Sequence, residues 1–111
     1  MNVTVTQLGG VQIVHLDGAL VANSVQEFDR IVDGLLARDK REFVVEVESL
    51  TGVDSAGLEA LTRLQGHCEE RLGNVRLAGV NPTLKTIIEI TRLSRRLAFS
   101  DTTDAAVAEF G

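Results

Sequence analysis

Tryptophan and tyrosine are absent from this 111-residue chain, and phenylalanine occurs only 4 times. The aromatic platforms on which single-stranded nucleic acid stacks are therefore missing. Basic residues are in the minority, 11 Lys and Arg against 16 Asp and Glu, for a formal charge of −5. A nucleic-acid partner needs clustered cations to displace counterions, so none is expected. The single cysteine, Cys68, cannot close an internal disulfide, which fits a reducing compartment. With only 2 histidines besides, the chain has too few Cys and His for a zinc site, and neither metal nor cofactor is expected. No apolar run approaches the roughly 20 residues that cross a bilayer, so no membrane insertion is expected. The start, MNVTVTQLGG, has no basic stretch followed by a long apolar block, and the expected compartment is the cytoplasm. Proline occurs once and there are no repeats or low-complexity tracts, so residues 1–111 read as one domain.

What is present is alternation between β-prone runs and helical periodicity. Val3, Val5 and Leu8 precede Gly9-Gly10, after which Val11, Ile13, Val14 and Leu16 resume, a pattern that predicts a tight hairpin. Ser24 and Glu27 have the spacing of a capping box ahead of Phe28, Ile31, Val32, Leu35 and Leu36, which share one helical face. FVVEV at 43–47 has the length and β-branched content of a buried strand. Past a Thr51-Gly52 turn, Leu58, Leu61, Leu64, Cys68 and Leu72 predict a second amphipathic helix, ended by Gly73. VRLAGV at 75–80 predicts another strand, and Asn81-Pro82 a third helix through Leu84, Ile87, Ile88 and Thr91. A short strand around Leu97–Phe99 and a helix from about Thr102 complete the order. Strands alternating with helices of this length imply an α/β class with a largely parallel sheet, in which only the N-terminal hairpin must be antiparallel.

In α/β sheets the loops leaving the carboxyl ends of strands carry most function, which directs attention to Ser49–Ser55 and the stretch TGVDSAGLEAL. Asp54 and Ser55 at a helix start have a plain structural reading as caps, with Gly57 allowing the first turn to pack closely. The same position also suits a switch. Phosphorylating Ser55 would place about −1.5 to −2 charges at a helix N-terminus, where an anion is favoured, beside Asp54 and Glu59, where a docked partner would meet them.

Enzyme motifs do not fit. Gly52 and Gly57 have the spacing of the P-loop glycines, but Leu58-Glu59 stands where Lys and Ser or Thr are required. Val53 occupies the place of the first glycine of a nucleophile elbow, and neither His15 nor His67 is spaced as a base for Ser55. Cys68 lies on the apolar stripe and reads as a small core residue. Arg92, Arg95 and Arg96 fall where the third helix should end and read as solvated partners of its negative terminus.

With these elements placed, the chain resembles a stand-alone STAS domain of the bacterial anti-sigma factor antagonist family over nearly its full length. The carriers are LDGAL (16–20), FVVEVESLTGVDSAGLEAL (43–61) and VRLAGVNPTLKTIIEITRL (75–93). The resemblance implies a mixed sheet of about five strands packed by about four helices, and a binding module, not an enzyme. It implies an anti-sigma factor that is also a serine kinase of the GHKL type as partner, and a serine phosphatase that resets the switch. Ser55 matches the phosphorylated serine, so that cap and switch would be one residue. Partner binding would fall on Asp54, Ser55, Ala56, Gly57 and Leu58, with Gly18 and Leu20 from the loop after the second strand.

Two positions depart from the family pattern. Ala56 follows the serine where Ser or Thr is common, and Gly18-Ala19-Leu20-Val21 lacks both acidic residues of a frequent Gly-acidic-Leu-Asp loop. That neutral loop leaves open a second role, the STAS subunit of a bacterial lipid-transport ABC system, bound to its ATPase and never phosphorylated. An enzyme using Ser55 as nucleophile is the third alternative, and it lacks a recognisable base.

Overall fold

Gly9 reverses the chain. In the computed structural model, which describes residues 1–110, its φ is +60°, and strand β1 (Asn2–Leu8) folds back antiparallel on β2 (Val11–Leu20) with Leu8 opposite Val11. A glycine with positive φ at the first of two loop positions matches the twist of the strands it joins. The chain continues through α1 (Val25–Leu36), β3 (Glu42–Glu46), β4 (Leu50–Val53), α2 (Ser55–Glu70), β5 (Asn74–Ala78), α3 (Pro82–Ile90), β6 (Ala98–Ser100) and α4 (Thr103–Ala108). The sheet runs β1-β2-β3-β5-β6, and every pairing except β1 with β2 is parallel.

This is the expected α/β architecture with four helices, but the sheet has six strands instead of about five. The additional strand, β4, pairs parallel with the far end of β2 across a register shift between Gly18 and Ala19. Thr51-Gly52, read as a turn, lies inside it. Four residues containing a glycine carry no strand signal of their own; β4 exists because β2 is long enough to host β3 along one half and β4 along the other.

The sheet is covered on both faces, which explains why FVV of β3 shows no alternation. On one face Val14, Leu16, Phe43, Val45, Val75 and Leu77 pack beneath α1, α2 and α3, which contribute Phe28, Val32, Leu61, Leu64 and Ile88. Burying each such side chain contributes roughly 1.5–3 kcal/mol. On the other face Val11, Ile13, Val44 and Ala78 meet Ala106 of α4 with Val107 and Phe110. Gln12 faces the first of these cores, fully buried, and neither atom of its amide has a hydrogen-bond partner among the described residues.

The helix ends show where local signals held and where they did not. Asn81 caps α3, its Oδ1 accepting from the Leu84 amide at 2.8 Å, with Pro82 at the first position. The Ser24–Glu27 capping box does not form. Ser24 Oγ instead donates to the Ala19 carbonyl at 2.6 Å and accepts from the Val21 amide at 3.0 Å, and Glu27 pairs with Arg30. The Ala19 carbonyl, five residues upstream, competes successfully for the hydroxyl because the β2–α1 loop folds back to bring it within reach. Leu72, assigned to the apolar stripe of α2, is 89% exposed with φ of +61°. It takes the left-handed position that ends the helix, and the Gly73 amide donates to the Cys68 carbonyl at 2.8 Å. Gly73 cannot be replaced in that task by a larger residue, since a Cβ there would collide with the Arg41 carbonyl oxygen. At the end of α3, Arg92 is likewise left-handed and exposed, while Arg96 reaches Glu69 of α2 at 3.9 Å, a weak surface contact.

Two stability changes follow from these positions. Leu72→Gly relieves a left-handed leucine with no packing to lose, and should raise the unfolding free energy by about 1 kcal/mol in a denaturant titration. Gln12→Met removes two buried unpaired polar atoms at nearly constant volume, and should raise the denaturation midpoint by an amount corresponding to about 1–3 kcal/mol.

Candidate functional site

The carboxyl ends of β2 and β4 meet the amino end of α2 at one corner. Gly18, with φ of +115°, turns β2 into its irregularity, and its amide donates to the Ser49 carbonyl at 3.2 Å. The strand then passes beneath the first turn of α2. Gly57 lies against the Leu20 carbonyl so closely that a Cβ would collide with it, and would stand 2.7 Å from Val53 Cγ2. Glycine is required there because the backbone itself occupies the space.

Asp54 fastens the corner. It sits in extended geometry before the helix; Oδ1 accepts from the Gly57 amide at 3.0 Å and Oδ2 accepts from the Ala22 amide, also at 3.0 Å. One carboxylate thereby joins the helix start to the β2–α1 loop, 32 residues away in sequence. The Gly57 amide, then the Ala22 amide, hold its pKa below the ordinary value of 3.8. The cap is therefore Asp54 and not Ser55, a correction to the expectation that cap and switch coincide. An aspartate at this position satisfies two amides, which a serine hydroxyl in the next position cannot reach while its own backbone is helical.

Ser55 is the first residue of α2 and is exposed. Ala56 and Leu58 flank it half-buried, and Glu59 is exposed on the same turn. Leu20 is fully buried and Gly57 is buried, so these two shape the corner from beneath instead of offering side chains to a partner. Gly18 is half-buried behind them. The outer rim consists of Ala19, Val21 and Ala22, with no charge of its own. Beside it, between β4 and α3, lies a cleft of about 210 Å³ with Leu50, Val53, Leu84 and Ile87 among its walls. Neither the Ala22 contact nor this cleft has a sequence signal: one is a backbone amide, the other a product of the unrecognised β4.

The remaining chemistry-bearing side chains lie elsewhere. On the α4 face of the sheet, Thr6 Oγ1 stands 3.1 Å from His15 Nε2, His15 Nδ1 is 3.1 Å from Glu46 Oε1, and Thr103 Oγ1 donates to Glu46 Oε2 at 2.7 Å. Thr103 first and His15 second lower the Glu46 pKa below 4.5. This chain of contacts ties α4 to the sheet. Cys68 is buried, and desolvation pushes its thiol up to about 12, which leaves it unreactive as a nucleophile. Among the described residues no group of three or more His, Cys, Asp or Glu is placed to hold a metal, and no helix is long and apolar enough to cross a membrane.

At this corner a two-faced α/β sheet presents one helix start and a neutral loop side by side. Residues 2–106 match the STAS domain family, and the chain belongs to that family. The fold is similar to that of a candidate anti-sigma factor antagonist from Thermotoga maritima, with a TM-score of 0.91 at 18% identity over 96% of this chain and 92% of the other. The phosphorylated form of the Bacillus cell fate determinant SpoIIAA gives 0.79 at 15% identity, covering 99% and 100%. A sulfate transporter family protein from Wolinella succinogenes gives 0.78 at 22% identity, covering 94% and 87%. No curated protein matches the sequence significantly.

The lowered pKa of Asp54 fixes the sign of a pH effect. The folded value lies below the unfolded one, so its stabilisation is complete above the ordinary carboxylate range and is lost as pH falls through the depressed folded value. Glu46 acts in the same direction. Chemical denaturation between pH 7 and pH 2 should show stability falling in acid. Asp54→Asn, which keeps one cap bond but turns an NH2 toward the Ala22 amide, should be less stable at pH 7 and show a shallower loss.

Proposed function

We propose that this protein is a partner-switching anti-sigma factor antagonist. In its unmodified form it binds an anti-sigma serine kinase of the GHKL type and so releases a sigma factor; phosphorylation of Ser55 ends the complex, and a serine phosphatase restores it. The observation that carries this reading is an exposed hydroxyl on the first residue of α2, beside a cap that already fixes the helix start. Because Asp54 and not Ser55 holds the fold, the hydroxyl is free to be modified without loss of the cap.

The physics of the switch follows from that placement. A phosphoryl group on Ser55 is tolerated by the amides and dipole of α2, so the domain stays folded. For a partner lying over Ser55, Ala56 and Leu58, the same group adds about −1.5 to −2 charges next to Asp54 and Glu59, which must be desolvated or repelled on docking. The partner surface would also draw on the neutral rim of Ala19, Val21 and Ala22, making that part of the contact apolar.

The neutral rim favours a second role, an unphosphorylated STAS subunit docked on the ATPase of a lipid-transport ABC system. The two roles separate cleanly in one experiment. With a GHKL-type anti-sigma kinase and ATP, intact mass spectrometry should show one phosphate on the wild type and none on Ser55→Ala. Ser55→Asp should weaken kinase binding about tenfold or more by calorimetry, while Ser55→Ala still binds. An unchanged wild-type mass, with capture of an ABC ATPase from the native host, would favour the transporter role and exclude the switch.

A further inference from the structure

Ser24 stands at the cap position of α1, yet its hydroxyl makes no bond to that helix. A serine there ordinarily stabilises the helix start by accepting from one of its free amides. Here the hydroxyl turns back to the end of β2, donating to the Ala19 carbonyl at 2.6 Å and accepting from the Val21 amide at 3.0 Å. The Val21 amide has no other hydrogen-bond partner among the described residues. The bonding capacity of Ser24 therefore serves the β2–α1 loop and not the helix it introduces.

That loop is the neutral rim beside Ser55. It leaves the ladder where β2 ends at Leu20 and joins no regular element before α1 begins at Val25. Its backbone is nevertheless anchored at each residue from 19 to 22. The Ala19 carbonyl and the Val21 amide share the Ser24 hydroxyl. The Leu20 carbonyl lies against Gly57 and accepts from the Asp54 amide at 3.4 Å. The Val21 carbonyl accepts from the amides of Ser24 and Val25, both at 2.9 Å, and the Ala22 amide reaches Asp54 Oδ2 at 3.0 Å. Two side chains thus hold the rim from opposite sides. Asp54 fixes where the loop stands relative to the start of α2, and Ser24 fixes the shape of the loop itself.

Ala19, Val21 and Ala22 bring a partner no charge and little side-chain entropy to lose. What such a rim contributes to affinity depends on its backbone already holding the bound shape, because every residue still to be ordered at docking subtracts from the gain. Given the kinase-docking role proposed for this corner, we infer that Ser24 is a positioning residue of that surface, whose hydroxyl preorganises the rim at residues 19–22 and thereby sets the affinity for the kinase. It acts through the rim and not on the reacting hydroxyl. Ser55 is held by a helix start that Asp54 caps through the Gly57 amide, a bond in which Ser24 has no part. A loss at Ser24 should therefore appear in binding and leave the transfer step alone.

Steady-state phosphorylation of the whole protein by the GHKL-type anti-sigma kinase of the native host, with ATP in excess, tests this. Ser24→Ala should raise the KM for this protein as substrate about fivefold or more with kcat unchanged. Ser24→Thr, which keeps a hydroxyl at the same place, should restore the wild-type KM. In the free protein, amide hydrogen exchange of Ser24→Ala should quicken at Val21 and Ala22 while residues 61–68 of α2 keep their protection, which shows that the fold is retained. A phosphorylated wild type beside a Ser24→Ala variant of unchanged KM overturns the inference and leaves the switch standing. So does a KM that Ser24→Thr fails to restore, or exchange that quickens throughout α2. A wild type that takes no phosphate overturns the switch and, with it, the role given to Ser24.

Discussion

The closeness of α2 to the end of β2 constrains everything at the functional corner. The first helical turn rests on the Leu20 carbonyl with no room for a side chain, which makes residue 57 a glycine. Once the helix is seated there, the Asp54 carboxylate lies within reach of both the Gly57 and Ala22 amides and fixes the angle at which the helix leaves the sheet. The next residue along, Ser55, is left facing solvent with no part in that arrangement. In the proposed switch, phosphorylation would change the charge at Ser55 while the Asp54 cap keeps the backbone under it in place.

That corner depends in turn on β2. Ten residues long, it carries the hairpin partner β1, both parallel neighbours β3 and β4, and the irregularity at Gly18 that redirects it beneath α2. Its even-numbered residues build the larger core and its odd-numbered ones the smaller core under α4. The short α4 fully buries only Ala106, and the Thr103–Glu46–His15–Thr6 chain supplements that packing with polar contacts to the sheet. One strand thus connects the corner at the start of α2 with the two cores and the hairpin.

Elements with strong periodicity were legible in the sequence. The Gly9-Gly10 hairpin, the FVV strand, the Asn81-Pro82 helix start and the last helix from about Thr102 stand where local pattern put them. Ser55 at a helix entry was legible too, although one position inside the helix instead of at its cap. The failures share a cause. Ser24 has a capping-box sequence, but a carbonyl from β2 takes its hydroxyl; Leu72 continues the leucine spacing, but the helix has already ended; LTGV has no strand character, but β2 supplies a ladder for it.

The sequence by itself determined the four helices, five of the six strands and the family, because each is encoded by spacing and residue type over short stretches. Only the tertiary structure decided which residue caps α2, that Leu20 lies beneath the corner and not on it, and that a sixth strand exists. Those outcomes turn on contacts between segments distant in sequence, where a hydrogen bond or a collision with a backbone carbonyl outweighs local propensity.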